Sequence, residues 1–297
     1  MKLDIILITY NHAAFIEQAL QGLFMQRLSP TVQAQVIVAD DASTDDTLSV
    51  IQHLEPQSPF PFVYPPAKSN MGHVLNYKRA FEACKGDYVA ILEGDDWWCS
   101  PLHLQRHIDF LDLHRECTLS SSRPYVYDTN TQRFSQSFYC EEKGETWLIT
   151  AQEEATSNKI SNLSTCVIRN SVLQKVIMNE ALWKVEMLDW LLELMLAEYG
   201  FLAKHRDSTS VYRSQGGGLW SGLGSIEQKE LVLRQIDEYD KVFQGKYTAE
   251  FKQVLRFYYP PKRSFGQRLH LLCPPFLWTF LKWLLPPILF SKSTTIR

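Results

Sequence analysis

The chain has 297 residues, 45% hydrophobic and 12% aromatic, with a net charge of −3. That length and composition fit one large globular domain with additions and exclude a disordered or low-complexity protein. Six scattered cysteines with no C-x-x-C pair exclude a disulfide framework and a structural zinc site, and they fit a reducing cytoplasm.

Asp4 followed by Ile5-Ile6-Leu7-Ile8 predicts a strand over 5–8 and not a signal peptide. Phe15, Ile16, Ala19, Leu20, Leu23 and Phe24 recur at helical spacing and predict a helix over 12–25. A strand over 36–39 follows. Ser43, with Asp46 three residues on, then predicts a capped helix reaching about residue 54. A strand over 62–64, a helix over 76–83 and a strand over 88–92 continue the alternation. Ser100-Pro101 opens a helix with Leu104, Ile108 and Leu111 on one face. Such β-α alternation requires right-handed crossovers and a mostly parallel sheet, hence an α/β fold. Beyond residue 115 the pattern is mixed, with strands expected over 118–122 and 165–169. Helices are expected over 171–178, 188–199, 225–243 and 248–258, with a flexible loop around Gly216-Gly217-Gly218.

The unbroken apolar run over 88–92 reads as a buried parallel strand, whose carboxyl end is where open α/β sheets place ligands. At that end stand Glu93, Asp95 and Asp96, followed by Trp97-Trp98. Crowded carboxylates repel one another, and a divalent cation of the Mg²⁺ or Mn²⁺ type between them removes the conflict. The alternative is a solvated acidic turn, against which the buried strand and the tryptophans argue. Asp40-Asp41 ends the second strand, where carboxylates either cap the following helix or accept hydrogen bonds from a nucleotide. Thr9-Tyr10-Asn11 leaves the first strand toward the same crevice. Neither a G-x-G-x-x-G fingerprint nor a P-loop is present, which disfavours a dinucleotide site.

Three segments, Ile5-Ile-Leu-Ile-Thr-Tyr-Asn11, Val36-Ile-Val-Ala-Asp-Asp-Ala-Ser-Thr-Asp-Asp-Thr47 and Gly86-Asp-Tyr-Val-Ala-Ile-Leu-Glu-Gly-Asp-Asp96, strongly resemble glycosyltransferase family 2 in order and spacing. The resemblance covers residues 3–101. It implies a GT-A fold and an inverting, metal-dependent enzyme that uses a nucleotide sugar. Under it Asp41 binds the nucleobase, with Thr9 and Tyr10 beside it. Asp95 reaches the ribose or sugar, and Asp96 holds Mn²⁺ or Mg²⁺ on the diphosphate. Glu93 stands where the family often has Asp or an uncharged residue. Taken alone, Asp189 is an acid favoured at a helix N-terminus; the resemblance makes it the general base, with Glu186 as the alternate. A Tyr-Arg-x-x-Gly-x-x-Trp-like stretch puts Arg213 or His205 near the phosphates and Trp220 in a loop closing over the donor, with a plain surface loop as the bland reading. Asn70, Gly72 and Asn76 match a further family motif, though a turn role fits them equally. Lys68 is a candidate contact to base or phosphate.

From 262 to 297 there are six basic residues and no acidic one, while residues 1–261 carry 24 basic and 33 acidic residues, a net of −9. The basic residues accompany apolar, proline-punctuated sequence, which argues against a nucleic-acid partner. Residues 269–290 carry one formal charge, Lys282, and as a continuous helix would reach roughly 33 Å. Proline pairs at 274–275 and 286–287 leave only 276–285 between them, too short to cross a bilayer. Trp278 and Trp283 with basic flanks suit an interfacial anchor, and a helix packed on protein is the alternative.

The expected organisation is a GT-A domain over 1–221, with a nucleotide-binding half (1–115) and an acceptor half (116–221). A helical extension over 222–261 and a membrane-associating tail follow. The expected activity is transfer of a sugar, UDP being the family's commonest carrier, to a glycan or lipid-linked oligosaccharide in cell-surface polysaccharide synthesis. The expected location is the inner face of the cell membrane. A metal-dependent nucleotidyltransferase and a non-catalytic scaffold are the competing classes.

Overall fold

The computed structural model describes residues 1–67, 69–136, 144–160, 162–218 and 220–258. In chain order the first half runs β1 (Lys2–Thr9), α1 (Ile16–Phe24), β2 (Gln33–Asp40), α2 (Thr47–Leu54), β3 (Phe62–Val63), α3 (His73–Ala83), β4 (Tyr88–Glu93), β5 (Trp97–Trp98) and α4 (His103–Leu113). The second half adds β6 (Cys117–Ser121), β7 (Pro124–Asp128), β8 (Arg133–Gln136), β9 (Thr146–Ile149), α5 (Ala151–Glu154), β10 (Cys166–Arg169), α6 (Asn170–Val176), α7 (Asp189–Ala197), β11 (Phe201–His205), β12 (Ser210–Ser214), α8 (Ser225–Val242) and α9 (Thr248–Tyr258). Two compact units divide the chain, Met1–Phe251 and Lys252–Arg297. Lys68 and the apolar stretch 269–290 lie outside the described residues. Among the described residues no helix is long and apolar enough to cross a membrane.

β1 organises the core because its neighbours pair with it on both edges. It runs parallel to β2, with Ile5 opposite Val36, and parallel to β4, with Ile5 opposite Ala90. Side chains alternate across a strand, so Leu3, Ile5 and Leu7 share one face and bury against Ile16, Leu20 and Leu23 of α1 and Leu104 and Ile108 of α4. The full sheet has eight strands in the order β3-β2-β1-β4-β10-β6-β11-β9, parallel except where β10 and β9 run against their neighbours. This is the α/β architecture with a mostly parallel sheet and flanking helices that the resemblance implied. Asp4 is buried in β1, and its carboxylate accepts from the amides of Lys85 and Gly86 at 2.6 Å and from Gln35 at 2.8 Å. It pins the turn that delivers β4.

A second sheet, β5-β12-β7-β8, has no counterpart in the sequence reading. Its strands are short, and they pair residues as distant as Trp97 and Val211. The helix expected from Ser43 begins only at Thr47, and no side chain caps it. Ser43 bonds to Asp40 and to the Asn11 amide, so the capping residues build a loop beside the crevice.

α1 crosses β5 at a glycine. A Cβ on Gly22 would lie 2.7 Å from the Trp98 carbonyl oxygen and 2.9 Å from its nitrogen. Alanine would gain about 0.5–1 kcal/mol in helix propensity, but overpacking against backbone costs about 1–3 kcal/mol and dominates. Gly22→Ala is therefore expected to lower stability by about 1–2 kcal/mol net. A drop in the urea midpoint at unchanged m-value would show it.

Behind the same strand His103 stacks on Trp98 at 4.8 Å, and His107 meets His103 edge-on at 4.7 Å. Thr209 and Ser120 hydroxyls bond their Nδ1 atoms at 2.7 and 2.8 Å. Burial holds both rings neutral, His103 at a pKa of about 3 and His107 well below its ordinary value. The unfolded chain takes up these protons near pH 6.5 while the folded chain cannot. Stability should thus fall as pH drops below about 6.5, by up to roughly 1.4 kcal/mol per unit for each histidine. Urea titrations at pH 7.5 and 5.5 would measure the loss.

Candidate active site

Strand register brings the acidic motifs level. Thr9 of β1 pairs with Asp40 of β2, and Ile8 pairs with Glu93 of β4. β2 and β3 lie to one side of β1 and β4 to the other, the reversal of strand order at which open α/β sheets bind ligands.

Gly94 makes the acidic turn possible. A Cβ there would stand 2.7 Å from His12 Nδ1 and 2.8 Å from Thr9 Oγ1, so the turn is pressed onto the end of β1. The two groups it presses on are themselves in contact, Thr9 Oγ1 and His12 Nδ1 being 3.2 Å apart. Burial lowers the His12 pKa, against the opposing charges of Asp95, Asp45 and Asp40.

Asp96 is 1% exposed. One carboxylate oxygen accepts from the Arg213 amide at 2.8 Å and the other from Asn162 Nδ2 at 2.9 Å. Burial and the neighbouring Asp95 charge nevertheless push its pKa up to about 7. Asp95 accepts from Gln215 Nε2 at 2.8 Å. Glu93 accepts from the Tyr77 hydroxyl at 3.0 Å, and its amide donates to Ser164 Oγ at 3.0 Å. Burial first, then the charges of Asp96 and Asp95, raises Glu93 well above the ordinary carboxylate range. Among the described residues no group of three His, Cys, Asp or Glu side chains is placed to hold a metal by itself. Two adjacent carboxylates, Asp95 and Asp96, suit a hard cation that completes its shell with water and phosphate oxygens. The pair therefore fits Mg²⁺ or Mn²⁺.

On the β2 side, Asp41 is 2% exposed and accepts from the amides of Met71 and Gly72, each at 2.9 Å. Asp40 accepts from the Ser43 amide at 3.0 Å. Tyr10 stands at the rim, 41% exposed. Asn11 adopts φ 54°, and its side-chain oxygen accepts from the Thr44 amide at 2.8 Å. Asn76 is buried, donates to the Ala39 carbonyl at 2.7 Å and accepts from Arg79. The side chains of Asn11 and Asn76 thus shape the walls of the crevice.

Arg213 is also engaged with the protein. Its Nε donates to the Asp95 carbonyl at 2.7 Å and Nη2 to Gln18 at 2.6 Å. The guanidinium lies 4.8 Å from the Phe15 ring centroid and 4.6 Å from that of Trp97. His205 bonds Ser120 and Thr146, beside the buried histidines of α4. Trp220 is partly exposed, and its carbonyl accepts from Gln228 at 3.1 Å.

Asp189 opens α7, and Asn158 Nδ2 donates to it at 3.3 Å. Burial raises its pKa, opposed by the backbone amides at the helix start and by nearby His73. Its charge is felt at Glu93 and at Tyr77, so it lies within electrostatic reach of the acidic turn. Glu186 instead makes an exposed two-pronged pair with Arg234 of α8, both contacts at 3.1 Å. His12, His73, Tyr77, Asn162, Ser164 and Gln215 escaped the sequence reading. His12, His73, Tyr77 and Gln215 carried a local signal, since each adjoins a motif residue, whereas Asn162 and Ser164 had none.

With this geometry in hand, the chain compares as follows. The family model described as Glycosyl transferase family 2 matches residues 4–181. An uncharacterized protein of Mycobacterium tuberculosis is 30% identical over 229 residues, 76% of this chain; the chain spans 63% of that relative's length. An uncharacterized glycosyltransferase of Nostoc sp. is 32% identical over 109 residues, 37% of this chain and 32% of the relative. Two solved structures share the fold: S. aureus TarS 1-349 in complex with UDP-GlcNAc and the Pyrobaculum calidifontis mannosyltransferase PcManGT in complex with GDP-Man and Mn²⁺. TarS aligns with a TM-score of 0.61 at 18% identity, covering 87% of this chain and 72% of its own. PcManGT aligns with a TM-score of 0.61 at 17% identity, covering 87% and 70%.

Proposed function

The chain belongs to glycosyl transferase family 2, and from that premise we propose that it moves a sugar from a nucleoside diphosphate to a hydroxyl of a glycan or lipid-linked acceptor, with inversion. One observation carries the reading: the Glu93–Asp96 turn and Asp41 share the carboxyl edge of the sheet, at the ends of β4 and β2, and the half-buried Asp189 of α7 lies within electrostatic reach of that turn. In this scheme Asp41 and Tyr10 take the nucleoside, and Asp95 and Asp96 take the diphosphate side. A Mn²⁺ or Mg²⁺ ion held by Asp95 and Asp96 would neutralise charge on the leaving diphosphate. Asp189 removes the proton of the acceptor hydroxyl as the oxygen attacks the anomeric carbon from the face opposite the diphosphate. Its raised pKa suits that task, because a general base works best with a pKa near the operating pH. Arg213 acts through Asp95 and Asp96, fixing the backbone that presents them. Residues 1–115 would then carry the donor and 116–221 the acceptor.

TarS bound to UDP-GlcNAc and PcManGT bound to GDP-Man support a nucleotide-sugar donor, and UDP is our choice of carrier. Cell-surface polysaccharide synthesis at the inner face of the membrane is the setting we assign, on the sequence of residues 269–290. A thermal-shift and product-release screen with UDP-GlcNAc and GDP-Man, with and without Mn²⁺, tests the proposal. Release of a nucleoside diphosphate that stops in chelator is expected. Release of pyrophosphate from a nucleoside triphosphate would instead mark a nucleotidyltransferase.

A further inference from the structure

His12, in the loop between β1 and α1, has its backbone fixed independently of its ring. Its amide donates to Thr47 Oγ1 at 2.8 Å, and its carbonyl accepts from the Phe15 and Ile16 amides at 2.8 and 2.9 Å. The residues on either side are tied down as well. The Asn11 amide donates to Ser43 Oγ at 2.9 Å and the Ala13 amide to Asp45 Oδ2 at 3.0 Å. From this frame the ring reaches the end of β1, with Nδ1 3.2 Å from Thr9 Oγ1. Gly94 packs against that pair: a Cβ there would stand 2.7 Å from the nitrogen and 2.8 Å from the oxygen. The Gly94 amide also donates to the Ile8 carbonyl at 2.8 Å, and the Asp96 amide closes the turn on the Glu93 carbonyl at 3.0 Å. Arg213 holds the next two residues, through the Asp95 carbonyl and the Asp96 carboxylate. On the Gly94 side, the Thr9–His12 pair is the surface against which the turn rests.

We propose that His12 is a positioning residue that holds the Gly94 turn where Asp95 and Asp96 present their oxygens to one divalent cation. The inference rests on the donor-site reading given above. Glycine has more backbone freedom than any other residue, so contact with its neighbours must help to set the conformation of Gly94. The Thr9 hydroxyl and the His12 ring supply that contact, and the hydrogen bond between them orients the ring. A small, hard cation such as Mg²⁺ demands near-ideal geometry from its ligands. Residues that orient metal ligands typically govern about 10–100-fold in affinity. A ring that only filled space would change stability and leave the cation's affinity alone.

Calorimetric titration of the full chain with UDP, and again with GDP, at rising Mn²⁺ concentrations tests this. The Mn²⁺ concentration that gives half of the gain in nucleotide affinity measures how well the cation is held. His12→Ala should raise that concentration about tenfold or more. His12→Asn carries a polar atom as far along the side chain as Nδ1 and should stay within about threefold of wild type. Should His12→Ala fail to melt cooperatively, His12→Leu, which keeps bulk without a polar atom, takes its place with the same expected loss. A half-maximal concentration within about threefold of wild type in the alanine or leucine variant overturns the proposal. An asparagine variant as impaired as that variant overturns it too. If neither nucleotide binds the wild type, or Mn²⁺ leaves its binding unchanged, the donor-site reading fails and the proposal fails with it.

Discussion

Replacing Asp189 by asparagine is expected to slow sugar transfer about 10²–10⁴-fold, the usual contribution of a general base, with nucleotide affinity and Tm nearly unchanged. Asparagine has the shape of aspartate, and its oxygen can still accept the Asn158 amide. It has no site for the acceptor proton. Two influences on Asp189 oppose each other. Burial favours the neutral acid, whereas the α7 N-terminus and His73 favour the carboxylate. Burial wins, and the pKa lies above the ordinary value. Glu186→Gln is the matching control. Its exposed pair with Arg234 is worth about 0–1 kcal/mol, and the rate should stay within about twofold. Nucleoside diphosphate release with acceptor present measures both variants. An Asp189→Asn enzyme keeping more than a tenth of the wild-type rate would remove the assignment.

Asp96→Asn is expected to make the protein more stable and much less active. Folding raises the Asp96 pKa to about 7, above the unfolded value of about 3.9. A carboxyl raised in this way stabilises the fold only while protonated, and that stability is lost as pH rises from about 4 through about 7. Asparagine removes the loss, so the gain should grow over that window and level off above it. Its size is on the order of 1–3 kcal/mol near neutral pH, since the neighbouring Asp95 shares the charge. Packing permits the change: Asn162 Oδ1 is buried without a partner, and a flip of that amide would let it accept from the new side chain. Activity should fall about 10²-fold or more, because cation neutralisation of the leaving group is worth several kcal/mol. Melting in chelator and product release in Mn²⁺, both across pH 5–8, would separate the two effects. A destabilised variant with normal turnover would refute both halves.

How much of this was legible in the chain depended on distance along it. The runs at 5–8, 36–39 and 88–92 declared buried parallel strands through unbroken apolar sequence. The capped start at Ser43 misled, because Ser and Asp satisfy loop backbone as readily as helix ends. The second sheet was invisible, since its strands are short and β5 finds its partner β12 more than 100 residues away. Arg213 offered a cation beside a glycine loop. Only the fold revealed its guanidinium packed between Phe15 and Trp97.

By itself, then, the sequence determined the α/β class, the family and the place of the acidic turn, because strand periodicity and motif spacing are properties of neighbouring residues. Tertiary structure decided what each polar group has left to give. Asn162 and the Arg213 amide hold Asp96 across 66 and 117 residues, and Tyr77 holds Glu93. Asn11 accepts from the Thr44 amide, and Asn76 donates to the Ala39 carbonyl. A hydrogen bond spends a donor or acceptor wherever its partner lies in the chain, so the free valences of a site emerge only after the long-range contacts have formed.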